Sequence, residues 1–242
     1  MVMERRFIKN SAAVFAVTVL ILSLAGCGKT VESGATWEVS ETASLSGLTI
    51  AEDAVIKAPE GKSLTMTVDG VETQIAAGNY RGKIVLTVSD EIIVDYRGTD
   101  KYRFRTAVYV RDGKYVPEKS VAASVVGGAV TDTALSNARI TSVGDRFNGI
   151  IVTGDSRYSI DNTVISMTGN GGNDFAGFGA SIMTDGNAEV TIENATIRNT
   201  GRMIDRIRSI IALHTLLQRR PDPVAGALEA SHQDAGRRKC SR

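Results

Sequence analysis

The chain of 242 residues is poor in the residues that usually announce chemistry: two cysteines, two histidines, four prolines and one tryptophan. Two cysteines cannot staple a disulfide scaffold, and Cys27 and Cys240 stand too far apart in sequence to suggest a cysteine-based metal site. Both histidines, His214 and His232, lie near the carboxyl end, so the body of the chain lacks the base that a Ser/His/Asp hydrolase requires. Four prolines and no Gly-X-Y period exclude a collagen-like chain. The longest uncharged apolar run, Ser11 to Ala25, is shorter than the ~20 residues a comfortable membrane span needs. An excess of positive charge is also missing, with 28 Lys and Arg against 27 Asp and Glu, which argues against a basic nucleic-acid binder. That balance is uneven along the chain. Residues 202–242 carry nine basic and four acidic groups, whereas residues 28–201 carry 16 basic and 22 acidic and hold 21 of the 24 glycines.

Arg5, Arg6 and Lys9 precede the run SAAVFAVTVLILSLA, the charge order of a secretory signal. The run ends in Leu24, Ala25, Gly26 and Cys27, which resembles the bacterial lipobox. That resemblance implies a signal peptide over 1–26, acyl chains such as palmitate on Cys27, and a lipoprotein held in the bacterial cell envelope, at the outer membrane or cell surface. The alternative is a plain secretory signal with an incidental cysteine. Residues 27–36 are small and polar, as a tether should be. Gly28-Lys29-Thr30 and Gly61-Lys62-Ser63 imitate the end of a phosphate-binding loop. However, Ser23 and Ile56 occupy the positions that need glycine, so no nucleotide site is supported.

From Trp37 onward, short apolar runs alternate with Gly, Asp and Asn breaks and show no helical period, which predicts an all-β body. Leu64, Met66 and Val68 alternate with Thr65, Thr67 and Asp69, predicting a strand with one wet face. Three segments align without gaps: LSNARITSVGD from Leu135, IDNTVISMTGN from Ile160 and IENATIRNTGR from Ile192. They share an aliphatic residue (Leu135, Ile160, Ile192), an asparagine (Asn137, Asn162, Asn194), an isoleucine (Ile140, Ile165, Ile197) and a glycine (Gly144, Gly169, Gly201), at intervals of 25 and 32 residues. Ile150 and Val152 before Gly154-Asp155 match Ile182 and Thr184 before Gly186-Asn187, so the longer interval contains a seven-residue insertion between Gly169 and Ser181.

A period near 25 built from short strands and Asn/Gly corners suits a β-solenoid. The repeat resembles the right-handed parallel β-helix family, the pectate-lyase-like fold, over residues 37–201, closely in 135–201 and loosely before it. The resemblance implies that Asn137, Asn162 and Asn194 form a stacked ladder. Residues 97–134 fit the pattern less well. There, Tyr102 to Val110 and Tyr115 to Val116 around Asp112-Gly113 predict a hairpin that protrudes from the solenoid or covers one side of it. In the tail, 202–242, Met203, Ile207, Ile210, Ile211, His214 and Leu217 share one helical face until Pro221 and Pro223. A capping helix, an interfacial helix and a frameshifted end all remain open for this segment.

Candidate ligands for a hard cation come from stacked oxygen donors. Asp161 and Glu193 occupy equivalent positions, as do Asp155 and Asn187. The insertion GNGGND resembles one copy of the calcium-binding glycine and aspartate repeat, which would make Asp174 a ligand. The bland alternatives are carboxylates splayed into water and a glycine-rich rim loop. The expected function is an envelope-anchored, adhesin-like or glycan-binding module with no evident catalytic residues and no resident cofactor, whose partners are the membrane and a polysaccharide or surface protein. The alternatives are a calcium-dependent polysaccharide lyase or hydrolase using Asp155, Asp161 or Asp174, and a truncated fragment without activity.

Overall fold

A computed structural model describes residues 28–96, 100–172 and 176–201. Cys27, Asp174 and the basic tail, each singled out above, lie outside the described residues. The described residues are nearly all-β, with parallel and mixed sheets and helix limited among them to two short 3-10 turns.

The first half comprises β1 (Lys29–Val31), β2 (Thr36–Glu38), β3 (Ala43–Ile50), β4 (Val55–Lys57), β5 (Lys62–Val68), β6 (Val71–Thr73) and β7 (Gly78–Asp90). Here the architecture differs from stacked parallel coils: β3 pairs antiparallel with β7, β7 with β5, and β5 with β6. Asp69 and Gly70 both take positive φ, 50° and 80°, which lets a two-residue turn join β5 to β6 with the twist a hairpin needs. Leu64 and Met66 meet Leu48, Ile50, Ile84 and Leu86 in a first core.

Three further strands follow: β8 (Ile92–Tyr96), β9 (Asp100–Arg111) and β10 (Lys114–Tyr115). Asp112 and Gly113, at φ 48° and 71°, turn β9 into β10, where the Asp-Gly dipeptide predicts a hairpin. The hairpin does not protrude. Instead β9 runs parallel to a later strand as an interior member of a five-stranded sheet, because Val108 and Val110 are fully buried and need cover. The chain then crosses the first half through two 3-10 turns (Pro117–Lys119 and Ala122–Ser124), β11 (Val125–Val126) and β12 (Ala129–Val130).

The rest builds tiers: β13 (Ala134–Ser136), β14 (Arg139–Ser142) and β15 (Phe147–Thr153); β16 (Arg157–Asp161), β17 (Val164–Met167) and β18 (Ile182–Asp185); then β19 (Glu189–Glu193) and β20 (Thr196–Asn199). Each strand pairs parallel with its counterpart in the next tier, in the register of the sequence repeat: Leu135 with Ile160 with Ile192, Ile140 with Ile165 with Ile197, and Ile150 with Ile182. All of these side chains except the exposed Ile197 stack inward into a second core.

Two residue types make the tiers possible. Asn137, Asn162 and Asn194 sit at the corners between consecutive strands with φ of 55°, 44° and 50°, a left-handed conformation that asparagine tolerates better than most residues. The repeated glycines act through contact rather than φ. A Cβ on Gly169 would lie 1.8 Å from the Gly144 carbonyl oxygen, and one on Gly201 would lie 2.0 Å from that of Gly169. Neither Gly169 nor Gly201 therefore admits a side chain, and backbone stacks directly on backbone.

Pairing of β6 with β14 joins the halves into one nine-stranded sheet. The joint is reinforced by Glu72, which is fully buried. Its carboxylate accepts from Arg105 Nη1 at 3.0 Å, Ser142 Oγ at 2.5 Å and the Gly144 N–H at 3.0 Å. A carboxylate taken out of water needs such saturation of its lone pairs.

Candidate functional site

The stacked polar residues lie on exposed corners and edges. Asn162 Nδ2 donates to Asn137 Oδ1 at 2.6 Å, but Asn194 Nδ2 donates to Asp161 Oδ1 at 3.0 Å rather than to Asn162. The rung pattern changes because Asp161 stands one residue before Asn162 at the same corner and offers the stronger acceptor. Asp155 likewise accepts from Asn187 Nδ2 at 2.9 Å. Asp161 and Glu193 are register partners on one sheet. The structure thus pairs two of the proposed cation ligands, Asp155 and Asp161, with carboxamides. Among the described residues no three His, Cys, Asp or Glu side chains gather into a group that could hold a metal ion.

Two asparagines outside the repeat signature are buried instead. Asn148 donates to the Gly177 carbonyl at 2.8 Å and accepts from the Gly179 N–H at 3.2 Å, while Asn199 donates to the Gly179 carbonyl at 2.7 Å. Together they pin the end of the glycine-rich insertion. Phe178 is thereby laid on the outer face of the β9–β15–β18 sheet, stacked on Phe104 with ring centroids 4.4 Å apart and edge-on to Tyr102 at 5.7 Å. This part of the insertion is a hydrophobic cover over that sheet, not a loop free in solvent. No periodic signal marks Asn148 or Phe178, since the insertion occurs once.

A concave feature lies elsewhere, on a face that the alternation of β5 predicts to be wet. Thr65 and Thr67 are fully shielded and Thr87 on β7 nearly so, because the segment from Tyr115 to Val130 crosses over them. The crossing is held at several points. The Ser120 hydroxyl donates to the Val116 carbonyl at 2.8 Å and accepts from the Tyr109 N–H at 3.0 Å, and the Val121 N–H donates to the Thr106 carbonyl at 2.9 Å. Asp132 accepts from Lys114 Nζ at 2.7 Å and from the Tyr115 N–H at 3.1 Å, and the lysine bond, then the amide bond, hold its carboxyl below the usual carboxylate range.

Between this crossing and the β5–β7 face opens a cleft of about 980 Å³. Its floor includes Thr67, Val85 and Thr87, and its far wall Tyr115, Pro117, Val125 and Val126. Asp69, Lys83 and Glu118 also border the cleft, and all three are exposed charged residues. Burial raises the Tyr115 phenol above its ordinary range, so it stays neutral at physiological pH. The hydroxyls of Thr65, Thr67 and Thr87 have no hydrogen-bond partner within the protein. A buried hydroxyl without a partner costs ~1–3 kcal/mol, so three on one face are an unusual expense for a structural surface.

Comparison with models of known protein families, with characterised proteins and with solved structures finds no match. The chemistry of the chain is therefore read from its own residues.

Proposed function

We propose that the chain is an envelope-anchored binding module: a lipoprotein attached through Cys27 whose body, from Ala134 onward, is a right-handed parallel β-helix presenting its surface to a glycan. The observation that carries this reading is the coincidence of sequence and structural register. Residues that repeat at 25 and 32 positions are Cα partners in three parallel ladders, with asparagine in the left-handed conformation at every equivalent corner. Solenoid stacking gives long, rigid, regular faces, and rigid faces bind extended polymers without a large ordering cost. The lipobox resemblance of Leu24 to Cys27 supplies the address.

Mass spectrometry of the chain from its native membrane tests the anchor: a chain beginning at an acylated Cys27, lost from the detergent phase in Cys27→Ser, is expected. A mature chain without acyl mass would overturn it. Binding is tested by retention on immobilised neutral and acidic polysaccharides, with no release of unsaturated or reducing sugar expected. Calcium-dependent release of such sugar would replace the binding module with a lyase or hydrolase.

A further inference from the structure

We propose that the acylated chain stands on the bilayer on the edge of its nine-stranded sheet, with β1 against the lipid headgroups and β20 farthest from them, an inference that rests on the anchor in the reading above. The tether expected over residues 27–36 is largely folded, since Lys29–Val31 and Thr36–Glu38 are strands. β1 pairs parallel with Leu48–Ile50 of β3, the Val31 carbonyl accepts from the Ala51 N–H at 3.1 Å, and the Val31 side chain is buried in the first core. Only Gly28 separates this strand from Cys27, so the Cα atoms of Cys27 and Lys29 lie at most ~7 Å apart. A body joined to its acyl chains by so short a link cannot drift from the headgroups as one on a ten-residue coil would.

The position of β1 selects the surface that meets them. It is the end strand of the sheet that runs β1-β3-β7-β5-β6-β14-β17-β20, so the chain leaves from an edge. The two ends of β1 differ in charge. At the Gly28 end stand the exposed Lys29 and Arg81; Arg81 is the register partner of Gly47, where a Cβ would lie 3.7 Å from the Gly28 Cα. At the other end Glu32, Glu52 and Asp53 are exposed. Anionic headgroups attract the first end and repel the second. Lys29 Nζ also lies 4.8 Å over the ring of Trp37, and a half-buried tryptophan beside a lysine suits the boundary between headgroups and water. Seven strand spacings of ~4.8 Å put β20 about 34 Å from β1 along the sheet. The parallel tiers therefore rise away from the bilayer, and their exposed corners face polymers in solution.

Trp37 is the only tryptophan, so it reports the β1 edge by energy transfer to dansyl-phosphatidylethanolamine in vesicles of phosphatidylcholine and phosphatidylglycerol. The acylated wild type, confirmed by intact mass, is compared with two acylated variants. One carries a flexible Gly/Ser insert of about ten residues between Gly28 and Lys29. The other is Trp37→Phe/Ile197→Trp, which moves the reporter to β20 at a side chain already 41% exposed. Circular dichroism checks each fold, and Val164→Trp on β17 replaces Ile197→Trp if the latter disturbs it. The insert lets the body stand off by about 17 Å, so transfer should be strong in the wild type and about twofold or more weaker in both variants. Transfer from the wild type no greater than from the insertion variant would overturn the held contact and leave the anchor standing. Equal transfer from the β20 reporter and from Trp37 would overturn the upright stance, because the sheet would then lie flat. A wild-type chain without acyl mass would overturn the anchor and this inference with it.

Discussion

Asparagine at the corners carries two functions that substitution can separate. Asn162→Ala loses the 2.6 Å bond to Asn137 and places a Cβ-bearing residue without local hydrogen bonding at φ 44°, so we expect a loss of ~1–2 kcal/mol in denaturant unfolding. Asn162→Gly keeps the backbone conformation and should lose less; a larger loss would mean that the amide outweighs the corner. Tyr158 gives the pH prediction. It is nearly fully buried, its hydroxyl has no partner, and burial pushes its phenol up. The unfolded chain ionises near pH 10 while the folded phenol does not. Stability is therefore flat through neutral pH and falls as pH rises beyond ~10. Tyr158→Phe should be neutral or stabilising by ~1 kcal/mol at pH 7 and should extend the folded range on the alkaline side. Thermal unfolding at pH 7 and pH 11 checks both parts. At this scale the corner asparagines were legible because their spacing recurs. The partners of the buried Glu72 were not, since Arg105 and Ser142 lie 33 and 70 positions away and nothing local announces them.

Strands show how far alternation reaches. An apolar/polar period of two identifies β5 as a strand, yet the same pattern fits either direction of pairing, and only the Asp69-Gly70 turn commits it to an antiparallel neighbour. Nor does alternation say what lies on the polar face; the Thr65 and Thr67 side is buried because a distant segment crosses it. The tiers were more readable, because a repeat with constant offset leaves one register in which aliphatic residues, corners and glycines all coincide. The glycine column tests that register. Gly169→Ala puts a methyl group against the Gly144 carbonyl, which must move together with the strand that follows it. The cost should be ~2–3 kcal/mol or more, measured by chemical denaturation, whereas at a glycine with open space and an ordinary φ the same change would stabilise by ~0.4–1 kcal/mol.

The whole molecule is two differently built halves sharing one sheet, coupled at β6–β14 and at the Glu72–Arg105 clamp. Trp37, the only tryptophan, packs in the first core and reports that half alone. Wild-type fluorescence and circular dichroism should therefore follow one coincident transition. Glu72→Ala leaves Arg105 partly buried without its carboxylate; we expect a loss of ~3 kcal/mol and separation of the two signals. Continued coincidence would mean that strand pairing alone couples the halves. Among the described residues, β18, β19 and β20 are the end strands of their sheets, and Ile197 on β20 is 41% exposed where Ile140 and Ile165 in the tiers before it are fully buried. Within the same residues, β16 and β17 are paired on both sides, whereas β19 and β20 are paired on one. Amide protons should consequently exchange with deuterium in an order set by tier: β19 and β20 first, β16 and β17 next, β13 and β14 last. Order in this protein is therefore a gradient along the stacking axis, and residues 25 or 32 apart in sequence differ more in lifetime than neighbours along the same strand.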